Sequence, residues 1–345
     1  MKKLIQDILN NWLEDEGDGF SGVFSASGAD GIIEQHAYGS RNIAENLPNT
    51  VDTSFAIASG TKLFTGLAVC KLIDENKLTL ESKLCDLLPY DLGQIDKSIT
   101  VFHLLTHTSG VGDYIDEEAE DNETQLQALY DKYPSYLWTK LEYYLQMITP
   151  LPPKFEPGQR YAYSNSGYVL LGLVVEAVSG LSYQQFVRDK IIVPCKLVHT
   201  GFYRMDALPS NTALGYIMGD TGQWRTNTFS VPILGGSDGG LFTCAGDLDK
   251  LWRAIFANEL LSEKMTQNFL AMQVDIDEEC GESYGLGVYR NIQDDNVAYY
   301  AVGVDSGVNF FTMYFPQSKI VVSSLSNTDD VDIFPPLNEL FEVLA

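Results

Sequence analysis

A serine and a lysine three residues apart are the most informative feature of the sequence. Ser59-Gly60-Thr61-Lys62 follows the apolar segment Phe55–Ala58, which predicts a strand, and opens a stretch with helical spacing of apolar residues. A serine at the first turn of a helix has its hydroxyl near the positive end of the helix dipole, and its own backbone N–H is one of the unpaired donors there. Such a position suits a nucleophile whose attack creates an oxyanion. A lysine one turn later is placed to reach the serine oxygen.

The same four residues also fit a purely structural interpretation. Serine is a preferred N-cap, and Lys62 would then be a solvated residue of the first turn. To act as a base the lysine must lose its proton. Lowering its pKa from about 10.4 to roughly 7 or 8 means destabilising the charged form by about 3 to 5 kcal/mol, through burial and neighbouring positive dipoles. The spacing alone leaves both interpretations open.

A second group of polar residues precedes the most apolar helix of the chain. Tyr163-Ser164-Asn165 lies where a loop meets that helix, so the Tyr163 hydroxyl can point back into a cleft. Asn165 offers both a donor and an acceptor to a substrate amide, although it also suits an N-cap. Tyr289-Arg290-Asn291 has the same Tyr-x-Asn pattern, and there a strand end with a turn is preferred.

The predicted elements indicate an α+β fold. Apolar runs at 20–26 and 32–38 predict a hairpin, and the spacing predicts a first helix, a helix over 59–76 and mostly helical structure over 99–185, including 101–106, 124–147 and 165–179. Strands are predicted at 284–289, 297–302, 309–315 and 320–325, and a closing helix at 336–344. We therefore expect one antiparallel sheet flanked by helices, with an all-helical insertion. Residues 1–80 and 285–345 would form the sheet domain, and 81–284 a mainly helical region completing the cleft.

Composition excludes several classes of function. The 345 residues contain 22 Lys plus Arg against 47 Asp plus Glu, a formal charge of −25, which repels the phosphates of nucleic acid and the headgroups of anionic membranes. We expect neither as a partner. The acidic stretch 116–123 predicts a solvated loop.

The cysteines and the first residues indicate the cellular compartment of the protein. Five scattered cysteines without a Cys-x-x-Cys pair indicate neither a disulfide framework nor a structural zinc site. Charged and amide residues interrupt the apolar character of the first seven residues, which predicts an amphipathic helix and not a signal peptide. The expected location is cytoplasmic, or extracytoplasmic if a leader has been removed. The oligomeric state is open.

The motifs taken together resemble the serine β-lactamase and penicillin-binding protein family, in the branch with class C β-lactamases, D-Ala-D-Ala carboxypeptidases, D-aminopeptidases and esterases. The resemblance covers nearly the whole chain and rests on segments in the family's order. These are 55–66 around Ser59, 99–110 with His-Leu-Leu-Thr-His-Thr-Ser-Gly, 155–168 around Tyr163, Asp238-Gly239-Gly240 with the residues after it, and Tyr284-Gly285-Leu286-Gly287.

The resemblance implies a β-lactamase/transpeptidase-like fold and a serine hydrolase that cleaves an ester or amide through an acyl-serine intermediate. It implies that Ser59 attacks, that Lys62 and Tyr163 shuttle the proton, and that Asn165 orients the substrate. The Ser59 N–H and a backbone N–H near Gly303 and Val304 would bind the oxyanion. No metal or organic cofactor is expected, and His103 and His107 are interpreted as structural.

The third motif of the family departs from its pattern here. A family member has Lys or His, then Thr, Ser or Gly, then Gly on the strand that faces the nucleophile. This chain has Ala301-Val302-Gly303, or in a shifted alignment Asp305-Ser306-Gly307, and neither supplies a cation. We therefore expect poor activity on β-lactams and on peptides with a free carboxylate, unless Arg160, Arg225 or Arg290 substitutes. A carboxypeptidase, D-aminopeptidase or β-lactamase is the first alternative, and a sensor or scaffold without turnover is the second.

Overall fold

The computed structural model describes residues 2–15, 19–118, 122–219, 222–293 and 296–344. Within these residues the strands are β1 Gly22–Gly28, β2 Gly31–Tyr38, β3 Ser40–Asn42, β4 Leu47–Pro48, β5 Phe55–Ala56, β6 Tyr216–Met218, β7 Trp224–Thr226, β8 Phe242–Thr243, β9 Val274–Asp277, β10 Glu282–Tyr284, β11 Tyr289–Gln293, β12 Asn296–Asp305, β13 Val308–Phe315 and β14 Ile320–Ser326. The α-helices are α1 Lys2–Asp15, α2 Thr61–Asp74, α3 Leu84–Leu87, α4 Val101–Leu105, α5 Asn122–Lys132, α6 Leu145–Ile148, α7 Asn165–Ser179, α8 Tyr183–Val187, α9 Ala245–Phe256, α10 Glu263–Leu270 and α11 Pro335–Leu344.

One eight-stranded antiparallel sheet organises the chain. Its strand order is β2-β1-β14-β13-β12-β11-β10-β9. The first hairpin joins the last strand, since β1 pairs with β14 from Gly22 opposite Ser326 to Ser27 opposite Val321. The α+β class, with an antiparallel sheet flanked by helices and built from both ends of the chain, is confirmed.

Helices cover both faces of this sheet. Phe310 belongs to a large core shared with α2, α4, α7 and α9, whereas its neighbour Phe311 packs with α1 and α11 on the opposite face. Because helices cover both faces, β13 is buried at all eight positions, and its sequence is mostly apolar without strict alternation. A strand buried on both faces holds its neighbour β12 in a fixed position.

The sheet also contains residues that were expected elsewhere. The strands β9 and β10 extend it back to Val274, so the boundary expected at residue 285 lies inside the sheet. A single strand over 284–289 was wrong, because Tyr284 ends β10 and Tyr289 begins β11. Between them the Gly285 N–H donates to the Val288 carbonyl at 2.8 Å and Gly287 has a φ of +114°, which closes a turn.

The region between the sheet segments is mainly helical, with short strand pairs such as β6–β7. Continuous helix over 124–147 was wrong: α5 ends at Lys132, Pro134 follows, and short 3-10 turns lead to α6. The helix α7 matches its expected bounds and ends at Gly180, whose φ of +74° is the left-handed C-cap conformation. No single helix of the described ranges is long and apolar enough to cross a membrane, although the bent pair 165–179 and 183–192 passes that test jointly.

Candidate active site

Ser59 lies in a strained turn between a strand and a helix. A 3-10 turn over Ala58–Gly60 leads directly into α2, so Ser59 precedes the first α-helical turn that was expected to contain it. Ala58 has a φ of +42°, a left-handed conformation that costs a non-glycine residue energy and that occurs often at functional sites. The Thr61 hydroxyl donates to the Ala58 carbonyl at 2.7 Å and accepts the Leu241 N–H at 3.0 Å. These bonds hold the turn, and Ser59 remains half-buried at the cleft.

Lys62 is buried and contacts Ser59. Its side chain is 3% exposed, and its Nζ lies 2.9 Å from Ser59 Oγ. Two further acceptors, Asn165 Oδ1 at 2.8 Å and the Asp238 carbonyl oxygen at 2.7 Å, complete the shell of the amine. Burial lowers the pKa of Lys62, while the negative charges of Asp238 and other acids of the cleft oppose that decrease. The solvated lysine of the structural interpretation is therefore wrong.

Tyr163 stands beside this pair. Lys62 Nζ lies 4.8 Å from the centre of its ring, and Tyr163 lines the cleft together with Ser59. Burial raises the pKa of Tyr163 well above its usual value, so its hydroxyl carries a proton near neutral pH. The imidazole of His107 stacks behind the ring at 4.6 Å between centroids. The Ser164 N–H donates to His107 Nδ1 at 3.0 Å, which fixes that imidazole.

His103 in α4 and His107 just after that helix each accept a backbone N–H. His103 Nδ1 accepts the Thr100 N–H at 3.2 Å in a capping box, as His107 accepts that of Ser164. Burial, and then the charge of Lys62, lowers the pKa of His107 well below its usual value. In the described part of the chain no group of three or more His, Cys, Asp or Glu side chains is arranged to hold a metal ion.

Asn165 begins α7 and faces the lysine, but it is not the N-cap. Ser164 is the cap, and its hydroxyl accepts the Gly167 N–H at 3.0 Å. The Asn165 Oδ1 accepts from Lys62, and its Nδ2 donates to Glu117 Oε1 at 2.9 Å. Because both ends of the amide are engaged, its orientation is fixed, with the acceptor towards the lysine.

Three acids surround these groups. Asp113 accepts the Asn165 and Ser166 N–H groups at 2.8 Å each, and burial nonetheless raises its pKa to about 7. Asp238 accepts the Tyr114 hydroxyl, and burial raises its pKa as well. Glu117 is exposed, as expected of the acidic loop, yet it faces the cleft. Residues 119–121 of that expected loop lie outside the described residues.

The strand β12 meets the nucleophile turn at Gly303. A Cβ built there would lie 2.8 Å from both the Ser59 and Gly60 backbone nitrogens and 2.2 Å from the Ile57 carbonyl oxygen. Only glycine permits this approach. The pairing of β11 with β12 ends at Tyr300, so within the described part of the chain no strand pairs with that edge of β12 beyond Tyr300. Backbone groups near Gly303 and Val304 are therefore available to a substrate.

This geometry favours the first of the two third-motif alignments. Gly303 stands beside Ser59, whereas Gly307 lies in the β12–β13 turn against Tyr216. Ala301 is 5% exposed in the core, where its alignment position holds a cation in the family pattern. None of the three candidate arginines lines the cleft: Arg160 pairs with Glu118, Arg225 donates to Ser230, and Arg290 belongs to β11.

The cleft itself has a volume of about 730 Å³. Ser59, Tyr163, Asn165, Gly303 and Val304 all line it, so the structure brings the expected site residues together. Sequence analysis missed Asp113 and Glu117, which have no motif of their own, while Asp238 was part of a quoted segment without a role. Their hydrogen bonds join positions 48 to 53 residues apart, which no local pattern reveals.

Comparison with known proteins finds one family model and several similar proteins that share this fold. The family model described as Beta-lactamase matches residues 9–339. A solved penicillin binding protein from Bacillus halodurans is similar at a TM-score of 0.89 and 36% identity, over 98% of this chain and 99% of that one. A D-stereospecific amidohydrolase from Streptomyces sp. shares the fold at a TM-score of 0.82 and 22% identity, with both chains fully covered (100% each). Protein flp from Staphylococcus aureus (strain N315) is 26% identical over 310 residues, which are 87% of this chain and 58% of that protein.

Proposed function

The chain belongs to the Beta-lactamase family and is a serine hydrolase of that fold, and on this premise we propose that it cleaves an ester or amide of a small molecule through an acyl-Ser59 intermediate. The observation that carries the proposal is the contact of 2.9 Å between the buried Lys62 amine and the Ser59 hydroxyl. Burial destabilises the ammonium form of Lys62, and a fold kept only for binding does not need a lysine that is costly to bury.

The contacts of Lys62 define how the proton moves. As a neutral amine, Lys62 donates its two N–H groups to Asn165 Oδ1 and the Asp238 carbonyl, and its lone pair accepts the proton of Ser59. The serine oxygen then attacks the substrate carbonyl. The Ser59 N–H and a backbone N–H of Gly303 or Val304 bind the oxyanion.

Collapse of the tetrahedral intermediate breaks the bond to the leaving group. Lys62 returns the proton to the leaving oxygen or nitrogen through the Tyr163 hydroxyl, which stays protonated because its pKa is raised. Water then attacks the acyl-enzyme and gives its proton to Lys62. When the bond between the acyl carbon and Ser59 Oγ breaks, that oxygen takes the proton back, and the acid leaves. Lys62 and Tyr163 therefore end each half-reaction in the protonation state in which they began it.

A direct test uses a fluorophosphonate probe and 4-nitrophenyl acetate. We expect one label per chain and steady turnover, both lost in Ser59→Ala and retained in Ser98→Ala, a matched change in an exposed turn. Labelling with a single burst and no turnover would instead support a sensor. No label and no turnover in the wild type would refute the proposal.

The expected weakness towards carboxylate substrates remains part of the proposal. Lys62 is engaged by Ser59, Asn165 and the Asp238 carbonyl, and no Lys or Arg of the described residues lines the cleft. Rapid, Ser59-dependent turnover of a cephalosporin or of a D-Ala-D-Ala peptide would contradict it and favour the β-lactamase or carboxypeptidase alternative. A cytoplasmic location is likewise our proposal, to be tested by cell fractionation.

A further inference from the structure

One buried carboxylate stands close to the lysine of the site without pairing with it. Asp238 is 7% exposed, and its backbone carbonyl oxygen accepts from Lys62 Nζ at 2.7 Å. Because the carboxylate belongs to the same residue, covalent geometry keeps it within roughly 8 Å of that amine. Among the described residues no Lys, Arg or His side chain forms an ion pair with Asp238. Its charge therefore acts on Lys62 through space.

A phenol holds this carboxylate in place. The Tyr114 hydroxyl donates to Asp238 Oδ2, and the Tyr114 N–H donates to the Ser166 hydroxyl at 3.0 Å, which ties the segment to the start of α7. Burial, and then the charge of Asp238, raises the pKa of Tyr114 well above its usual value, so the phenol keeps the proton that it donates. Burial raises the pKa of Asp238, whereas the charge of Lys62 and the Tyr114 hydroxyl oppose that rise and favour the carboxylate.

Several other titratable groups face Lys62 from the elements around it. Four acids raise the pKa of the lysine, in decreasing order Asp238, Glu117, Asp113 and Asp305. Glu117 and Asp113 follow α4, and Asp305 ends β12. The remaining neighbours are two phenols that burial keeps protonated and one imidazole that burial keeps neutral, namely Tyr163, Tyr168 and His107. Among the described residues Asp238 therefore has the largest electrostatic influence on Lys62.

This influence opposes the effect of burial on the strength of the base. Burial lowers the pKa of Lys62, which frees the amine at lower pH. A base whose pKa falls far below the working pH also takes up a proton less readily in the transition state. A fixed negative charge nearby limits that decrease, so it keeps Lys62 basic enough to take the proton of Ser59.

We propose that Asp238 is a positioning residue of the hydrolase, whose carboxylate, held by the Tyr114 hydroxyl, sets the proton affinity of Lys62 and with it the pH range in which Lys62 activates Ser59. The proposal concerns the regulation of the site described under the proposed function and rests on that function. Asp238 acts through Lys62 and takes no part in the bonds that form and break.

The test measures kcat/KM on 4-nitrophenyl acetate as a function of pH. Asp238→Asn removes the charge and keeps an oxygen that can accept from Tyr114. We expect the midpoint of the acidic limb to fall by about 1 pH unit, because an opposite charge no longer stabilises the ammonium of Lys62. The variant should be about threefold faster than the wild type below that limb and about threefold slower above it, where the weaker base is less effective. A merely structural role would lower the rate at every pH and leave the midpoint unchanged.

Tyr114→Phe examines the phenol separately. Without its donor the carboxylate of Asp238 is protonated more readily, so the midpoint should fall in this variant too, by less than in Asp238→Asn. Added to Asp238→Asn, the same change should produce no further shift, because both act through one charge. Two exposed positions give matched controls, Asp30→Asn in the hairpin turn and Tyr136→Phe, and both should keep the midpoint of the wild type.

A measurement without catalysis separates this proposal from the hydrolase. In Ser59→Ala protein labelled with 13C at the lysine ε carbons, NMR follows the protonation of Lys62, whose signal is assigned by its absence in Lys62→Met. A lower midpoint in the Ser59→Ala/Asp238→Asn double variant supports the proposal even if no ester is turned over. An unchanged or higher midpoint overturns it, even when Ser59-dependent turnover supports the hydrolase. Where Asp238→Asn does not fold, Tyr114→Phe in the Ser59→Ala background decides in the same way.

Discussion

Replacing Gly303 by alanine tests whether β12 must touch the nucleophile turn. The added methyl group would stand 2.2 Å from the Ile57 carbonyl oxygen and 2.8 Å from the Ser59 and Gly60 nitrogens. All three neighbours are backbone atoms, so no side chain can rotate away. The strand must retreat until the shortest contact reaches ordinary packing distance, a displacement of about 1 Å.

That displacement acts on the oxyanion site. A misplacement of about 1 Å typically costs about 100-fold in rate, and the loss of one oxyanion donor costs about 100- to 1,000-fold, or about 3 to 4 kcal/mol. We therefore expect kcat/KM of Gly303→Ala on 4-nitrophenyl acetate to fall by at least about 100-fold. The loss should appear in kcat, because the interaction forms fully only in the transition state.

Gly246→Ala is the matched control. Gly246 lies in the first turn of α9, where a Cβ meets nothing within 4 Å, and alanine favours helix over glycine by roughly 0.5 to 1 kcal/mol. Its activity should match that of the wild type and its Tm should be equal or slightly higher.

Rates are to be compared per folded molecule, with thermal unfolding measured for each variant and active sites titrated by slow fluorophosphonate labelling. A folded Gly303→Ala protein with kcat/KM within about threefold of the wild type would show that β12 supplies no oxyanion donor, and the geometric argument would fail.

Three further predictions follow from the buried charges. Lys62→Met should reduce kcat at least about 1,000-fold, because proton transfer and the hydrogen bonds of the amine are both lost. Lys77→Met on the exposed surface should leave kcat unchanged. An acylation rate of Lys62→Met close to that of the wild type would exclude lysine as the base. Tyr163→Phe should lower kcat by about 10- to 1,000-fold and leave KM within a few-fold, measured on the same ester; an unchanged kcat would show that the phenol relays no proton. Burial raises the pKa of Asp113 and Asp305 to about 7, so their contribution to stability is complete below about pH 4 and is lost as the pH rises through 7. The Tm should therefore fall from pH 5 to pH 8, and it should fall less in Asp305→Asn. A steeper fall of the Tm in that variant would contradict the raised pKa.

The elements with strong local signals could be predicted from the sequence. The helix α7 has continuous apolar character between the cap Ser164 and the left-handed Gly180, so both of its ends are encoded locally. The hairpin of β1 and β2 has a Gly-rich turn between apolar runs. By contrast, the turn at 285–288 was taken for strand, because its apolar Leu286 and Val288 continue a strand-like pattern across two glycines.

The residues of the site that belong to sequence motifs could be predicted. Ser59, Lys62, Tyr163 and Asn165 were found by type and spacing, supported by the family resemblance, and the structure places them in contact. The left-handed Ala58 and the paired amide of Asn165 could not be foreseen, since tertiary hydrogen bonds impose them. Nor could the sequence decide whether Gly303 or Gly307 meets the nucleophile turn, because that depends on how β12 packs against residues 58–60.

The closure of the sheet by β1 and β14 has a consequence for synthesis of the protein. A ribosome produces Ser59 and Lys62 early, but the segment that presents Gly303 arrives some 240 residues later (303 − 59 = 244), and the strand that locks it in place ends only at Ser326. Pairing of such distant segments is slow to form. The nascent polypeptide therefore stays catalytically inactive until translation has nearly finished.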